Sequence, residues 1–234
     1  MMNQTMNVNV YVADVTVFAD EDCYRKAYQL ATPERREKVD RFRFPKGRWL
    51  SLGAELLLQY GLEQCGIFLS KSLNEKIYGY HEQGKPYLMQ FPEVHFSFSH
   101  SGEMAMCAIS GTEVGCDIER DSRDNRNLAE RFFAKEEADL IAQQSTEEGK
   151  REMFFRLWTL KESFLKITGQ GMSLPMDSFS FNFDGDRINI RQEYDERTYY
   201  FREFFVREGY KCSACGLAPL SEEGLKVVDL SEIL

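Results

Sequence analysis

Apolar and polar residues alternate from Asn7 to Phe18, with Val8, Val10, Val12, Val15 and Val17 on the apolar beat. A period of two predicts a strand. Thr32-Pro33-Glu34-Arg35 predicts a helix start, with Thr32 as N-cap and Pro33 at the first helical position. From Leu50 to Leu62 the apolar residues recur at helical spacing, which predicts a core helix ending near Gly61. Tyr78 to Tyr87, punctuated by Gly84-Lys85-Pro86, predicts a loop. His95 to Ser99 alternates again and closes on Ser99-His100-Ser101-Gly102. Met104 to Ser110 and Glu113 to Glu119 predict two strands around the turn Gly111-Thr112. Leu128–Gln143 and Glu152–Ile167 predict helices. Beyond Gly169-Gln170-Gly171 the pattern turns to strands at Phe179–Phe183, Ile188–Ile190, Tyr199–Val206 and Tyr210–Leu217. The tail from Ser221 predicts a short strand or irregular chain.

Each half of this pattern mixes helices with antiparallel strands. There is no βαβ rhythm, no GxGxxG and no P-loop, so the expected class is α+β rather than a dinucleotide fold. A break near Ser110–Thr112 gives an N-terminal half, 1–111, and a C-terminal half, 112–234, with a site expected between them. The chain has 234 residues with 43% hydrophobic and 13% aromatic content, ample for a core. Its apolar runs fall short of the roughly 20 residues that span a bilayer, and MMNQTMNVNV lacks the basic and apolar regions of a signal peptide. A cytoplasmic protein without membrane association is expected. The six cysteines are scattered, and Cys212-Ser213-Ala214-Cys215 has no second CxxC or nearby histidine, so core thiols are expected rather than a zinc site. The net charge of −9 argues against nucleic acid as a partner. Against that background Arg35, Arg36, Lys38, Arg41, Arg43, Lys46 and Arg48 cluster within one stretch, either a solvated helix face or an anion site.

Candidate chemistry lies in two separated segments, Val114-Gly115-Cys116-Asp117-Ile118-Glu119 and Leu157-Trp158-Thr159-Leu160-Lys161-Glu162-Ser163-Phe164-Leu165-Lys166. Asp117 and Glu119 stand at i and i+2 of a predicted strand and share a face. Either they end an exposed strand, or a cation offsets their repulsion. Glu162 either pairs with Lys166 one helical turn on, or serves a ligand together with Lys161 and Lys166. Where the two segments meet, three carboxylates flanked by lysines suit Mg²⁺ on a pyrophosphate. His100, flanked by Ser99, Ser101 and Gly102, is either a turn histidine or a donor to phosphate.

In order along the chain, GKPYL (84–88), HFSFSHSG (95–102), VGCDIER (114–120), RFFAKEE (131–137) and FFRLWTLKESFLKITGQGMSLPMDSFSF (154–181) resemble the 4′-phosphopantetheinyl transferase superfamily. The length is similar to its Sfp-like group, in which one chain of two similar halves does the work that shorter chains do as trimers. The resemblance covers roughly residues 30–217. It implies transfer of the 4′-phosphopantetheine arm of coenzyme A to a serine of an acyl or peptidyl carrier protein, with Mg²⁺, releasing adenosine 3′,5′-bisphosphate. It implies Asp117, Glu119 and Glu162 as metal ligands, with Glu162 also the base for the carrier serine. Lys161 and Lys166 are implied at the pyrophosphate or the arm's phosphate, and Ser99 and His100 at the phosphates of coenzyme A. Lys85, with Gly84 and Pro86, is implied near the adenosine, and Arg35 and Lys38 at the 3′-phosphate. The sequence departs from the family at Gln170, where lysine is frequent, and around Arg48, where the nucleotide-contacting pair does not align. Arg120, Arg123 and Arg126, with Phe132-Phe133 beyond, form either a carrier dock or a mobile polar loop. A monomer is expected by resemblance. The competing readings are a non-catalytic coenzyme A or nucleotide-binding module and a Mg²⁺-dependent phosphohydrolase.

Overall fold

The structure, a computed structural model, describes residues 6–69, 76–121 and 131–234. The first alternating segment forms β1 (Asn9–Asp14), shorter than the pattern predicts. Asp14 ends it: its carboxylate accepts the amide and hydroxyl hydrogens of Thr16, which turns the chain into a short 3₁₀ helix. Then α1 (Glu21–Leu30) begins at Asp20, whose carboxylate caps the amides of Asp22 and Cys23. Its sequence, EDCYRKAYQL, is too polar to register in an apolar pattern, but the Asp20 cap marks its start. The helix α2 (Pro33–Asp40) starts at Thr32 as predicted. The core helix α3 runs over Pro45–Gln64, starting at a proline that needs no amide donor. The expected loop at 78–87 is instead a small hairpin, β2 (Tyr78–Tyr80) with β3 (Pro86–Leu88), turned by Gly84 at φ +83°.

The strands β4 (His95–Ser101) and β5 (Met104–Ser110) join β1 in a sheet. A second sheet is built from β6 (Val114–Arg120), β9 (Tyr200–Glu203) and β10 (Tyr210–Gly216) in the order β6-β10-β9. Between β6 and β10 the chain forms α4 (Lys135–Ala142), α5 (Glu147–Thr168) and the hairpin β7 (Ser180–Asp184) with β8 (Arg187–Arg191). The expected helix 128–143 is observed over its Lys135–Ala142 part, and its first residues lie outside the described ones. The class is α+β.

Three apolar clusters order these parts. Tyr11, Cys107 and Ile109 on one face of the first sheet pack against Leu52, Leu57 and Leu58 of α3. Val10, Val12, Met106 and Ala108 on its other face pack against Cys116, Ile118 and Ala214 of the second sheet. The far side of the second sheet packs through Cys215 and Phe201 on Leu157, Leu160 and Phe164 of α5. The result is helix, sheet, sheet, helix. The tail crosses this arrangement: β11 (Leu225–Val227) pairs in parallel with β1, and Leu230 enters the α3 cluster. Residues 225–234, expected with the C-terminal half, therefore pack on the N-terminal one. The six cysteines are all unpaired, and Cys212 and Cys215 are buried in β10.

Candidate active site

The two sheets meet where β4 lies beside β6, and side chains rather than backbone pairing join them. The serines of β4 stand at alternate positions and face β6. Cys116 N–H donates to Ser97 Oγ at 3.2 Å, Ile118 N–H to Ser99 Oγ at 3.2 Å and Arg120 N–H to Ser101 Oγ at 3.1 Å. A hydroxyl that accepts an amide proton still has its own proton to give. Ser99 gives it to Asp117 Oδ1 at 2.7 Å, and Ser101 to Glu119 Oε2 at 2.6 Å. Charge-assisted bonds of this length are roughly twice as strong as neutral ones. Asp117 and Glu119 share a face of β6, while Cys116 and Ile118 point to the inter-sheet core, as the period-two spacing predicts.

The third carboxylate arrives on α5, and Gly115 lets that helix come in. A Cβ on Gly115 would lie 1.9 Å from the Ser163 carbonyl oxygen, so glycine is required for this approach. It brings Lys166 Nζ to 2.6 Å from Asp117 Oδ1 and 3.0 Å from Cys116 O. Burial would lower the Lys166 ammonium, but Asp117, Cys116 and Glu162 beside it hold it above its ordinary value. Burial and the neighbouring Asp117 charge raise Glu162, against the pull of Lys166. The same two causes push Glu119 up to about 7, against the hydrogen bond from Ser101. Asp117 Oδ2 is buried and has no hydrogen-bond partner among the described residues.

The Glu119 shift has a measurable sign. Between about pH 4.5 and 7 the folded, metal-free protein keeps a proton on Glu119 that the unfolded chain releases. Folding stability in EDTA should therefore fall as pH rises through that window. Urea unfolding at pH 5 and pH 8 should show the loss in the wild type and a smaller one in Glu119→Gln. Parallel profiles for the two proteins would contradict the burial of this charge.

The remaining expected residues divide. His100 stands near the end of β4, where partial loss of solvent around its ring lowers its pKa further than its own backbone hydrogen bond raises it, with Lys166, Lys38 and Arg35 adding to the depression. Lys38 is exposed on α2 and available to an anion. Arg35, expected at a phosphate, is 9% exposed: it donates to Ser51, lies 3.7 Å from Glu55 and sits over the rings of Tyr78 and Phe98. Glu55 in turn takes the hydroxyls of Thr32 and Tyr78, so this buried group anchors α2. Lys85 donates to the carbonyls of Val114 and Ile167, and burial lowers its pKa to about 8. Gly84, Lys85 and Pro86 join Phe98, Glu162 and Lys166 around a cavity of about 270 Å³. A second cavity of about 410 Å³ shares Lys85 and is also lined by His81, His95, Glu113 and Gln170.

Two expectations need correction. Lys161 does not face a ligand. It is fully buried in the C-terminal core, where its ammonium meets Glu137 at 2.7 Å and the carbonyls of Met176 and Phe179 at 2.8 and 2.7 Å. One residue on a helix is a 100° turn, so Lys161 and Glu162 face different surroundings. Ser99 is also buried, with its hydroxyl committed to Asp117 and Ile118. Of the suggested carrier dock, Phe133 is a core residue stacked on Phe154, Arg120 lies 3.8 Å from Glu103, and residues 122–130 lie outside the described ones. Arg48 donates to the Phe42 carbonyl. Sequence reasoning gave Ser97 no role and set Ser101 only beside His100 as a flanking hydroxyl, although the alternation in FSFSHS was the available signal.

The site is thus a pair of strand carboxylates beside a helical glutamate and two lysines, Lys85 and Lys166, that line a cleft, suited to a phosphate-bearing ligand. Comparison with known proteins agrees. The family model of the 4′-phosphopantetheinyl transferase superfamily matches residues 113–215. Over 211 residues the chain is 34% identical to the 4′-phosphopantetheinyl transferase Sfp of Bacillus subtilis (strain 168), covering 87% of this chain and 89% of that one. It is 37% identical over 186 residues to the 4′-phosphopantetheinyl transferase gsp of Aneurinibacillus migulanus, covering 79% of this chain and 75% of that one. The chain belongs to the 4′-phosphopantetheinyl transferase superfamily. Within it the chain is an Sfp-like enzyme.

Proposed function

We propose that this transferase moves the 4′-phosphopantetheine arm of coenzyme A to a serine of an acyl or peptidyl carrier protein, using Asp117, Glu119 and Glu162 with Mg²⁺. The observation that carries the metal reading is Asp117 Oδ2, a buried carboxylate oxygen with no partner among the described residues. An unsatisfied buried oxygen is costly unless something fills its place. Among the described residues no three His, Cys, Asp or Glu side chains are gathered closely enough to hold a metal by themselves. Mg²⁺ is commonly held by one or two carboxylates together with substrate phosphates. Asp117 and Glu119 on β6 would hold it, with Glu162 opposite, and when bound it would neutralise charge on the pyrophosphate.

The chain's own groups account for the rest. Lys166, charged and facing the cleft, would bind the phosphates, Lys38 adds a second cation, and the neutral His100 ring would offer an N–H donor. Glu162, raised towards neutrality, would take the proton of the carrier serine, directly or through water. The serine oxygen then bonds to the phosphorus bearing the pantetheine arm, and the bond from that phosphorus to the departing adenosine 3′,5′-bisphosphate breaks. Gly84, Lys85 and Pro86 would form the adenosine side of the cleft. The halves 1–111 and 112–234 would be its two walls, with the tail returning to the first.

The proposed setting is the cytoplasm and the proposed state a monomer. No helix among the described residues is long and apolar enough to cross a membrane. The net charge of −9 supports a reading without nucleic acid.

The test is intact-mass measurement of apo carrier proteins from fatty-acid, polyketide and peptide pathways, incubated with the chain and coenzyme A. Expected is a gain of the phosphopantetheine mass that needs Mg²⁺ and disappears in EDTA. Asp117→Ala should transfer at least about 10²-fold more slowly while remaining folded, the scale of losing a group that stabilises transition-state charge. Undiminished transfer by folded Asp117→Ala would overturn the site assignment.

A further inference from the structure

We propose that Ser101 is a positioning residue for Glu119, and that the hydroxyl it donates across the seam between β4 and β6 sets this carboxylate for a divalent cation. This rests on the reading of Glu119 as a cation ligand. The three serines of β4 occupy equivalent places in the ladder, each accepting an amide hydrogen from β6. They differ in what they do with their own proton. Ser99 and Ser101 give it to carboxylates, whereas the Ser97 hydroxyl meets no carboxylate among the described residues. Asp117 is also held by Lys166, so it has a second support from α5. The hydrogen bond from Ser101 is what engages the Glu119 carboxylate, at Oε2.

The geometry has a consequence for how the site is assembled. Glu119 belongs to the second sheet and Ser101 to the first, so the orientation of a ligand on one sheet depends on the seating of the other. Ser101 stands where β4 ends, just before Gly102. That glycine has φ +59°, and the place of its missing Cβ lies 2.3 Å from the Tyr210 hydroxyl. The Tyr210 hydroxyl accepts the amide hydrogen of Glu103 at 2.9 Å, tying the β4–β5 turn to β10 of the second sheet. The position of Ser101 is therefore held from both sides of the seam.

Ser97 provides the internal control, because it makes the same ladder contact without touching an acid. The experiment titrates Mg²⁺ into the full chain in the presence of coenzyme A by calorimetry, and measures the Mg²⁺ half-saturation of transfer and the Tm. Four variants are compared: Ser101→Ala, Ser101→Val, Ser101→Thr and Ser97→Ala. Loss of the Ser101 hydroxyl in the alanine and valine variants should weaken Mg²⁺ binding and raise its half-saturation about ten-fold or more, the scale of removing a partner that orients a metal ligand. Threonine, which keeps the hydroxyl, should restore wild-type values. Ser97→Ala should lower Tm more than Ser101→Ala, because it strips a buried amide of its acceptor, yet leave the Mg²⁺ half-saturation unchanged.

Wild-type Mg²⁺ binding in folded Ser101→Ala or Ser101→Val would overturn the proposal. So would equal weakening by Ser97→Ala, which would make the effect one of the seam as a whole. Should both hydroxyl-free Ser101 variants unfold while Ser97→Ala folds, the role is structural and the proposal is again overturned. A wild-type chain that transfers the arm at full rate in EDTA and takes up no Mg²⁺ would instead remove the cation reading beneath it.

Discussion

Gly115→Ala will fold with lower stability and transfer slowly. An added Cβ would stand 1.9 Å from the Ser163 carbonyl oxygen and 2.7 Å from the Ile167 amide nitrogen, both backbone atoms of α5. No rotamer relieves such a contact. Ordinary contact begins near 3.4 Å, so α5 would have to withdraw by roughly 1.5 Å, the difference between 3.4 and 1.9 Å. Overpacking of this kind costs about 3 kcal/mol or more. The larger effect falls on chemistry, because the withdrawing segment carries both Glu162 and Lys166. A misplacement of about 1 Å can cost 10²-fold in rate, so the folded fraction should show a kcat loss on that order. Urea unfolding together with single-turnover transfer checks both parts. Wild-type behaviour in both would mean that α5 does not seat against β6 as described.

Lys161→Ala is expected to act through stability rather than ligand affinity. Its ammonium and the Glu137 carboxylate are both fully buried and 2.7 Å apart. Removing the lysine leaves a buried carboxylate without its counter-charge, a defect worth about 3–5 kcal/mol. In a chain of this length that lowers Tm by on the order of 10 °C. Combining it with Glu137→Leu should recover only part of the loss. Glu137 also accepts the amide hydrogens of Ala134 and Phe181, and an orphaned buried amide costs about 1–3 kcal/mol. The KM for coenzyme A of the folded Lys161→Ala protein should stay near the wild-type value. A raised KM at unchanged Tm would restore the phosphate-contact role that sequence reading gave this lysine.

Lys161 shows where reading the chain alone reached its limit. The alternation of Val114 to Glu119 was enough to put Asp117 and Glu119 on one face, because strand geometry has a strict period of two. The helical spacing around Trp158 likewise placed Glu162 and Lys166 together. Neighbours in sequence on a helix do not share surroundings, and only the packing of α4 and β7 shows that Lys161 points into the core. The second contact of Arg35 was hidden for a related reason: its partner Glu55 lies on another helix, and nothing local in the sequence reveals a cation beside a buried carboxylate. The hairpin at Tyr78–Leu88 was missed because three-residue strands are too short to show a period. The hydroxyl seam was visible as a motif, but its purpose depends on the strand beside it.

The returning tail bears on how the molecule is made. As the chain leaves the ribosome, β1 emerges well before β11, which covers the outer edge of β1. Until residues 225–234 emerge, the first sheet has an open edge and the α3 cluster lacks Leu230. An open edge is a template for unwanted pairing with another chain. Nascent chains and products stalled before this segment would therefore be the aggregating species.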